Sequence, residues 1–170
     1  MTPQVSKQTH HATGAPPVDD PTVVRTRVEV SAPPERAFAV FTAGIDTWWN
    51  RSHHLLDGEL KEVGVDPFVG GRMWEENDVG ETCTWGRVLT WDPPREFAFS
   101  WLIGPDWAVP GPEAAGSRVT VTFTPSPTGT IITLVHDLIE AHGLGWEAVR
   151  DGVGSDGGWP GLVRLLAAVL

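Results

Sequence analysis

Residues 23–41 read VVRTRVEVSAPPERAFAVF, and two periodicities meet there. From Val23 to Val30 the residues alternate. Thr26, Val28 and Val30 fall on one side and Arg25, Arg27 and Glu29 on the other, the period-2 pattern of a strand with one buried face. Ser31 then leads into Ala32-Pro33-Pro34-Glu35. Proline suits a first helical turn, where its missing N–H is not needed, and glutamate suits the positive end of the helix dipole. Phe38 and Phe41 are three apart on one face of the short helix expected over residues 34–42. Gly44 ends that helix, and a second helical turn is expected over Ile45-Asp46-Thr47-Trp48-Trp49.

Before this stretch, residues 1–20 are polar, with three prolines and no periodicity, and read as a disordered tail. They contain no apolar h-region, so the tail does not read as a signal peptide and a cytoplasmic location is expected. After it, the chain is strand-like as far as residue 138. A weak strand is expected over 57–63. Gly70-Gly71 opens a better one at Arg72-Met73-Trp74-Glu75-Glu76. The strand over 82–91 carries Gly86 at its middle, a mark of a bulge or close approach. Asp92-Pro93-Pro94-Arg95 is a turn. The next strand, over 96–103, alternates Phe97, Phe99 and Trp101 against Glu96, Ala98 and Ser100. A Pro/Gly-rich loop over 104–116 holds Trp107. Val119, Val121 and Phe123 mark one face of a strand over 118–124; Ile132, Leu134, His136 and Leu138 mark one over 130–138. Turn-linked strands of this kind predict an antiparallel meander with one dry face.

The C-terminal part is helical, with residues 146–150 of helical composition, an interruption at 152–158, and Asp156 and Pro160 suited to a helix start. Leu162, Leu165, Leu166 and Val169 form an apolar stripe at helical spacing. The pattern predicts one α+β domain over residues 21–170. About seven curved antiparallel strands are expected to wrap around a long C-terminal helix, with two short helices after the first strand.

Composition narrows the function classes. Twelve Lys+Arg against twenty-two Asp+Glu leave a net charge of −10 in 170 residues, which argues against nucleic acid or an anionic membrane as partner. Cys83 is the only cysteine, so no intrachain disulfide is expected. No apolar run approaches the roughly 18 residues of a membrane span. The aromatics are nine Trp and six Phe with no Tyr, which leaves much flat apolar surface to place.

Motifs of known chemistry are few. Gly152-Val153-Gly154-Ser155-Asp156-Gly157 matches GxGxxG, but no strand precedes it, so it reads as a flexible inter-helix loop rather than a dinucleotide site. P-loop, GxSxG and HExxH patterns are lacking. His53-His54, near Asp57 and Glu59, lack zinc-module spacing and read as a surface loop; no metal and no cofactor is expected. His136 lies on an apolar strand face. It is either a hydrogen-bonded core histidine or a polar anchor in a dry cavity, with Glu75 as a candidate partner. The aromatic set fills a core or lines a cavity, and both readings remain open.

The order of these segments resembles a known superfamily. The strand entering Ala32-Pro33-Pro34-Glu35-Arg36-Ala37-Phe38, the Trp48-Trp49 pair, Gly70-Gly71-Arg72-Met73-Trp74 and Gly86-Arg87-Val88-Leu89-Thr90-Trp91-Asp92-Pro93-Pro94 resemble the helix-grip fold. So do Phe99-Ser100-Trp101 and the strand from Thr130 to His136. This is the Bet v 1-like, START-like or SRPBCC superfamily, and the motifs resemble its branch named after the C-terminal domain of the activator of Hsp90 ATPase. The resemblance spans residues 22–170. It implies a cavity between sheet and C-terminal helix, with Trp48, Met73, Glu75, Trp85, Phe97, Phe99 and Trp101 as candidate ligand-binding residues. Val121, Phe123, Leu134, His136, Leu162 and Leu166 complete the candidate set. It implies binding of a small apolar or aromatic ligand without assigned catalytic residues. The alternatives are a polyketide cyclase/aromatase- or hydrolase-like enzyme using His136, and a chaperone-associated or stress-response module. The activator's Hsp90-binding N-terminal domain has no counterpart in residues 1–20, so direct ATPase activation is not expected; a homodimer is left open.

Overall fold

A computed structural model describes residues 20–111 and 113–170; the expected tail over 1–20 lies almost wholly outside them. The strands are β1 (Val24–Val30), β2 (Leu60–Val65), β3 (Arg72–Asn77), β4 (Thr82–Asp92), β5 (Glu96–Trp101), β6 (Ser117–Ser126) and β7 (Gly129–Asp137). They form one antiparallel sheet in the order β1-β7-β6-β5-β4-β3-β2, curled into a half-barrel. The helices are α1 (Pro34–Phe41), α2 (Trp146–Val153) and α3 (Trp159–Ala168). Single 3-10 turns occupy Ile45–Thr47 and Ile139–His142. This is the α+β helix-grip architecture.

The topology follows from the opening stretch. β1 pairs with the last strand, β7, so the chain must cross from one sheet edge to the other before the meander begins. Helix α1 and the Ile45–Thr47 turn make that crossing. Their underside carries Phe38, Phe41, Ile45, Trp48 and Trp49, all buried. Asp46 ties the turn to β2 by accepting a hydrogen bond from the Val63 N–H at 2.9 Å.

Alternation holds where period 2 is clean. In β6 the inward residues are Ser117, Val119, Val121 and Phe123, and in β7 they are Thr130, Ile132, Leu134 and His136. It breaks at Gly86, where the register between β3 and β4 passes from Met73–Gly86 to Trp74–Thr84. Trp85 is the extra residue of this bulge, so Trp85 and Gly86 are both buried. A bulge re-aims one side chain at the cost of local pairing; here it turns an indole into the concave face. Gly86 permits it, because a Cβ there would collide with the Ser100 carbonyl oxygen.

Several boundaries differ from the sequence expectation. The weak strand over 57–63 is β2, beginning only at Leu60, and α1 stops at Phe41 with Thr42 as its C-cap. Leu138 is not on the dry face. Its φ is 58°, a left-handed conformation that ends the strand and leaves the side chain 46% exposed. Asp156 does not cap α3; the N-cap is Gly158, with no side-chain bond. The buried face of α3 is Trp159, Leu162, Val163 and Leu166, while Leu165 and Val169 are exposed. The helical C-terminus is therefore two segments joined by a glycine-rich turn. No helix among the described residues is long and apolar enough to cross a membrane.

Candidate functional site

The parity of β7 puts His136 inside the sheet, wholly buried, where each ring nitrogen must find a partner. Trp159 Nε1 donates to His136 Nδ1 at 3.0 Å. An indole nitrogen can only donate, so Nδ1 is the bare nitrogen and the proton sits on Nε2. That N–H points to Ser117 Oγ at 2.6 Å, and Ser117 Oγ lies 2.8 Å from His142 Nε2. The proton order then runs one way: Trp159 to His136, His136 to Ser117, Ser117 to His142. Burial holds the His136 pKa down at about 3, the nearby His142 adding to the effect and Asp137 opposing it. His136 is thus a neutral, fully bonded core histidine.

The cavity lies on the other side of Trp159. It has a volume of about 430 Å³, within the roughly 300–1,000 Å³ usual for small-molecule sites. Its inner wall is the indoles of Trp85, Trp101 and Trp159. Trp85 and Trp101 meet edge to face at 5.6 Å, Trp101 and Trp159 at 5.4 Å, and Trp49 stacks behind Trp85 at 5.4 Å. Leu162 and the α2–α3 turn, including Gly152, Ser155 and Gly157, form a second wall, and residues 52–55 a third. Trp107 closes one side. Its φ of 59° is rare for a bulky residue. The conformation is fixed by a Trp107 N–H bond to the Gly104 carbonyl at 2.9 Å and a Gly104 N–H bond to the Ala108 carbonyl at 2.9 Å. Its ring lies on Gly152, where any Cβ would collide with it.

Two polar features stand out in this wall. Glu75 is only 4% exposed, and its carboxylate accepts the Leu55 N–H at 2.9 and 3.1 Å and the Leu56 N–H at 3.4 Å. It therefore pins the 52–56 loop from β3. It does not meet His136, whose side-chain partners are Ser117 and Trp159, so the candidate pairing does not form. The second is Trp101, whose ring lines the wall while its Nε1 has almost no accessible surface and no hydrogen-bond partner among the described residues, a state that costs about 1–3 kcal/mol. His53 borders the same space, and burial lowers its pKa. Among the described residues no group of three or more His, Cys, Asp or Glu is placed to hold a metal ion.

The family profile described as "Activator of Hsp90 ATPase homolog 1-like protein" matches residues 31–170. The chain belongs to this family. Among solved structures, this activator-homologue chain is similar to an anthrahydroquino-gamma-pyrone synthase solved as a complex, at 36% identity. That match covers 87% of this chain and 96% of the synthase, with a TM-score of 0.61. A structural-genomics protein from Nitrosomonas europaea shares the fold at 14% identity, covering 90% of this chain and 96% of its own, with a TM-score of 0.63. One from Rhodobacter sphaeroides does so at 22% identity, covering 90% and 95%, with a TM-score of 0.62. No curated protein matches the chain.

Of the candidates named from sequence, Glu75, Trp85, Trp101 and Leu162 line the cavity of this activator-homologue domain. Met73, Phe97, Phe99, Val121, Phe123, Leu134 and Leu166 lie in the packed core, as does Trp48, whose Nε1 donates to the Val40 carbonyl at 3.0 Å. His136 sits behind Trp159. Sequence reasoning missed Trp107, Trp159 and His53 as wall residues, and the 152–158 turn, which was expected to be only a loop. The one signal was the glycine run immediately before Trp159, which lets backbone and rings approach closely.

Proposed function

We propose that this protein binds a planar, largely apolar aromatic molecule of the polyketide type in the cavity before α3. The observation that carries this reading is the wall of three indoles, Trp85, Trp101 and Trp159, around a space of about 430 Å³. Flat rings offer offset and edge-on contacts to a flat ligand and bury it from water. The family's fold is suited to ligand binding or polyketide cyclase-type roles, and the wall supports the aromatic choice within that range. The test is calorimetric titration and native mass spectrometry with 9,10-anthraquinone-type probes on the wild type and on Gly157→Phe. Gly157 borders the cavity, and a Cβ there meets nothing nearer than Ser155 Oγ at 3.9 Å, so the backbone accepts a side chain, and a phenyl ring there is expected to narrow the cavity mouth. Affinity is expected to fall about tenfold or more, equivalent to ~1.4 kcal/mol or more, with the melting temperature unchanged. Equal affinity in both proteins would place the ligand elsewhere, and no binding by the wild type would overturn the reading.

A second reading, ring closure on the bound aromatic, is favoured by the 36% identity to the anthrahydroquino-gamma-pyrone synthase over 96% of that chain. It makes the cavity a mould that holds a side-chain ketone against a ring hydroxyl, so that the hydroxyl oxygen adds to the ketone carbon and the ketone oxygen leaves as water, gaining rate from orientation. His136 is not the acid-base group in this reading, since both its nitrogens are engaged behind Trp159. Incubation with an anthrahydroquinone bearing an open side chain, followed by chromatography and mass spectrometry, distinguishes a cyclase from a binder. A cyclised product absent from the Gly157→Phe reaction is the result expected of the cyclase.

A further inference from the structure

We infer that the cavity takes uncharged planar aromatics and rejects those carrying an anionic group, and that the charge of Glu75 makes this choice. The inference rests on the aromatic-ligand reading and adds to it the charge state a ligand must have.

The wall carries charge of one sign. Of the described residues that line the cavity, Glu75 is the one carboxylate, and none is Lys or Arg. The Glu75 carboxylate is bound by the Leu55 and Leu56 N–H groups. These are neutral dipoles, which stabilise the charge without cancelling it. Repulsion of a second anion requires no free lone pair on Glu75, because a charge acts through space. It acts most strongly where water is excluded, and Glu75 is only 4% exposed.

Nothing around the wall offsets this. His53 is kept neutral near pH 7.5 by the burial that lowers its pKa, and His54 is exposed, with Nδ1 donating to the Leu56 carbonyl at 2.8 Å. Four arginines stand within two residues of a lining position. Arg51 pairs with Asp46 at 2.8 Å, Arg150 with Asp151 at 2.9 Å and Arg164 with Asp156 at 3.9 Å. Arg87 is exposed on β4 between buried Gly86 and Val88. Helix ends bring no net field either. Gly152 and Val153 end α2 beside the cavity, and Trp159 begins α3 there, so a negative and a positive dipole end oppose each other. The net charge of −10 adds a long-range field of the same sign as Glu75. An uncharged ring system meets none of this opposition and keeps its contacts with the indoles.

The experiment compares two probes of nearly equal size. One is 2-(hydroxymethyl)anthraquinone, which is uncharged; the other is anthraquinone-2-carboxylate, an anion at about pH 7.5. Each is titrated by calorimetry into the full chain, Glu75→Gln and Ser155→Lys. Glutamine keeps an oxygen for the Leu55 N–H while removing the charge. Ser155 is an exposed wall residue, so lysine there adds a cation at the rim. Thermal melts check both variants, and Ser155→Lys decides alone if Glu75→Gln does not fold. The wild type is expected to bind the uncharged probe about tenfold tighter or more. Glu75→Gln is expected to bring the two probes within about threefold by strengthening the carboxylate, with the uncharged probe little changed. Ser155→Lys is expected to narrow the gap in the same direction, whereas a steric cause would leave it in place. Equal or tighter binding of the carboxylate by the wild type would overturn the inference and leave the aromatic reading standing. So would a gap unchanged in folded Glu75→Gln, or in Ser155→Lys where that variant decides. Failure of the wild type to bind either probe would overturn both.

Discussion

His136 is held neutral by geometry on both sides: an indole N–H occupies one nitrogen, and the other donates to a hydroxyl that passes its own proton on to His142. The folded chain resists protonation there down to about pH 3, against an ordinary value of 6.5, whereas the unfolded chain takes up that proton near its ordinary value. Stability from this group is therefore complete above about pH 6.5 and is lost as the pH falls toward 3, by up to about 1.4 kcal/mol per pH unit. Burial lowers the pKa of His53 and His142 as well, with the same sign. In His136→Gln the acid slope of melting temperature between pH 6.5 and 4 is expected to flatten relative to the wild type. At pH 7.5 the variant is expected to lose about 1–3 kcal/mol through unpaired Trp159 and Ser117. A slope as steep as the wild type's would show that the proton is taken up elsewhere. The sequence placed His136 on a dry face and left open whether it was bonded or free. Its partners could not be read there, because Ser117 is 19 residues away and Trp159 is 23, and only the paired strands and α3 bring them together.

At the scale of elements, period-2 alternation and turn residues made the strands legible from sequence, because those signals are local. The bulge was legible only as a glycine inside a strand. That it turns Trp85 inward depends on β3 lying opposite, which no local pattern reports. Gly86→Val is expected to cost about 1–3 kcal/mol, since its side chain would drive into the Ser100 carbonyl. Chemical denaturation measures the loss, and a neutral result would mean β4 and β5 can separate without penalty. The α2–α3 turn illustrates the opposite case. Its glycines looked like slack chain, yet Gly152 lies beneath the Trp107 ring and Gly158 against the Val153 carbonyl. Close approach, rather than freedom of movement, accounts for Gly152 and Gly158.

For the whole molecule, the order of motifs was enough to anticipate a curled sheet gripping a C-terminal helix, while the residues left cavity and filled core equally open and only the family resemblance implied a cavity. The cavity's position was not legible, because a face of a strand says which residues point inward and not how far along the sheet the filling stops. Most inward residues turned out to be packed core, and Leu166, wholly buried on the inner face of α3, belongs to that part. Leu166→Ala is expected to cost about 2–5 kcal/mol and to lower the denaturation midpoint without changing ligand specificity; a loss below 1 kcal/mol would show that α3 rests on the sheet only through its first turn. The packing of the indoles also shapes how the protein handles light. Trp49, Trp85, Trp101 and Trp159 form a chain of contacts with ring centres 5.4–6.3 Å apart. The sequence has no tyrosine to add a second emitter. At such spacings excitation hops between rings and their transitions couple, so the four behave as one antenna. Light absorbed at any of them reaches the rings that border the cavity.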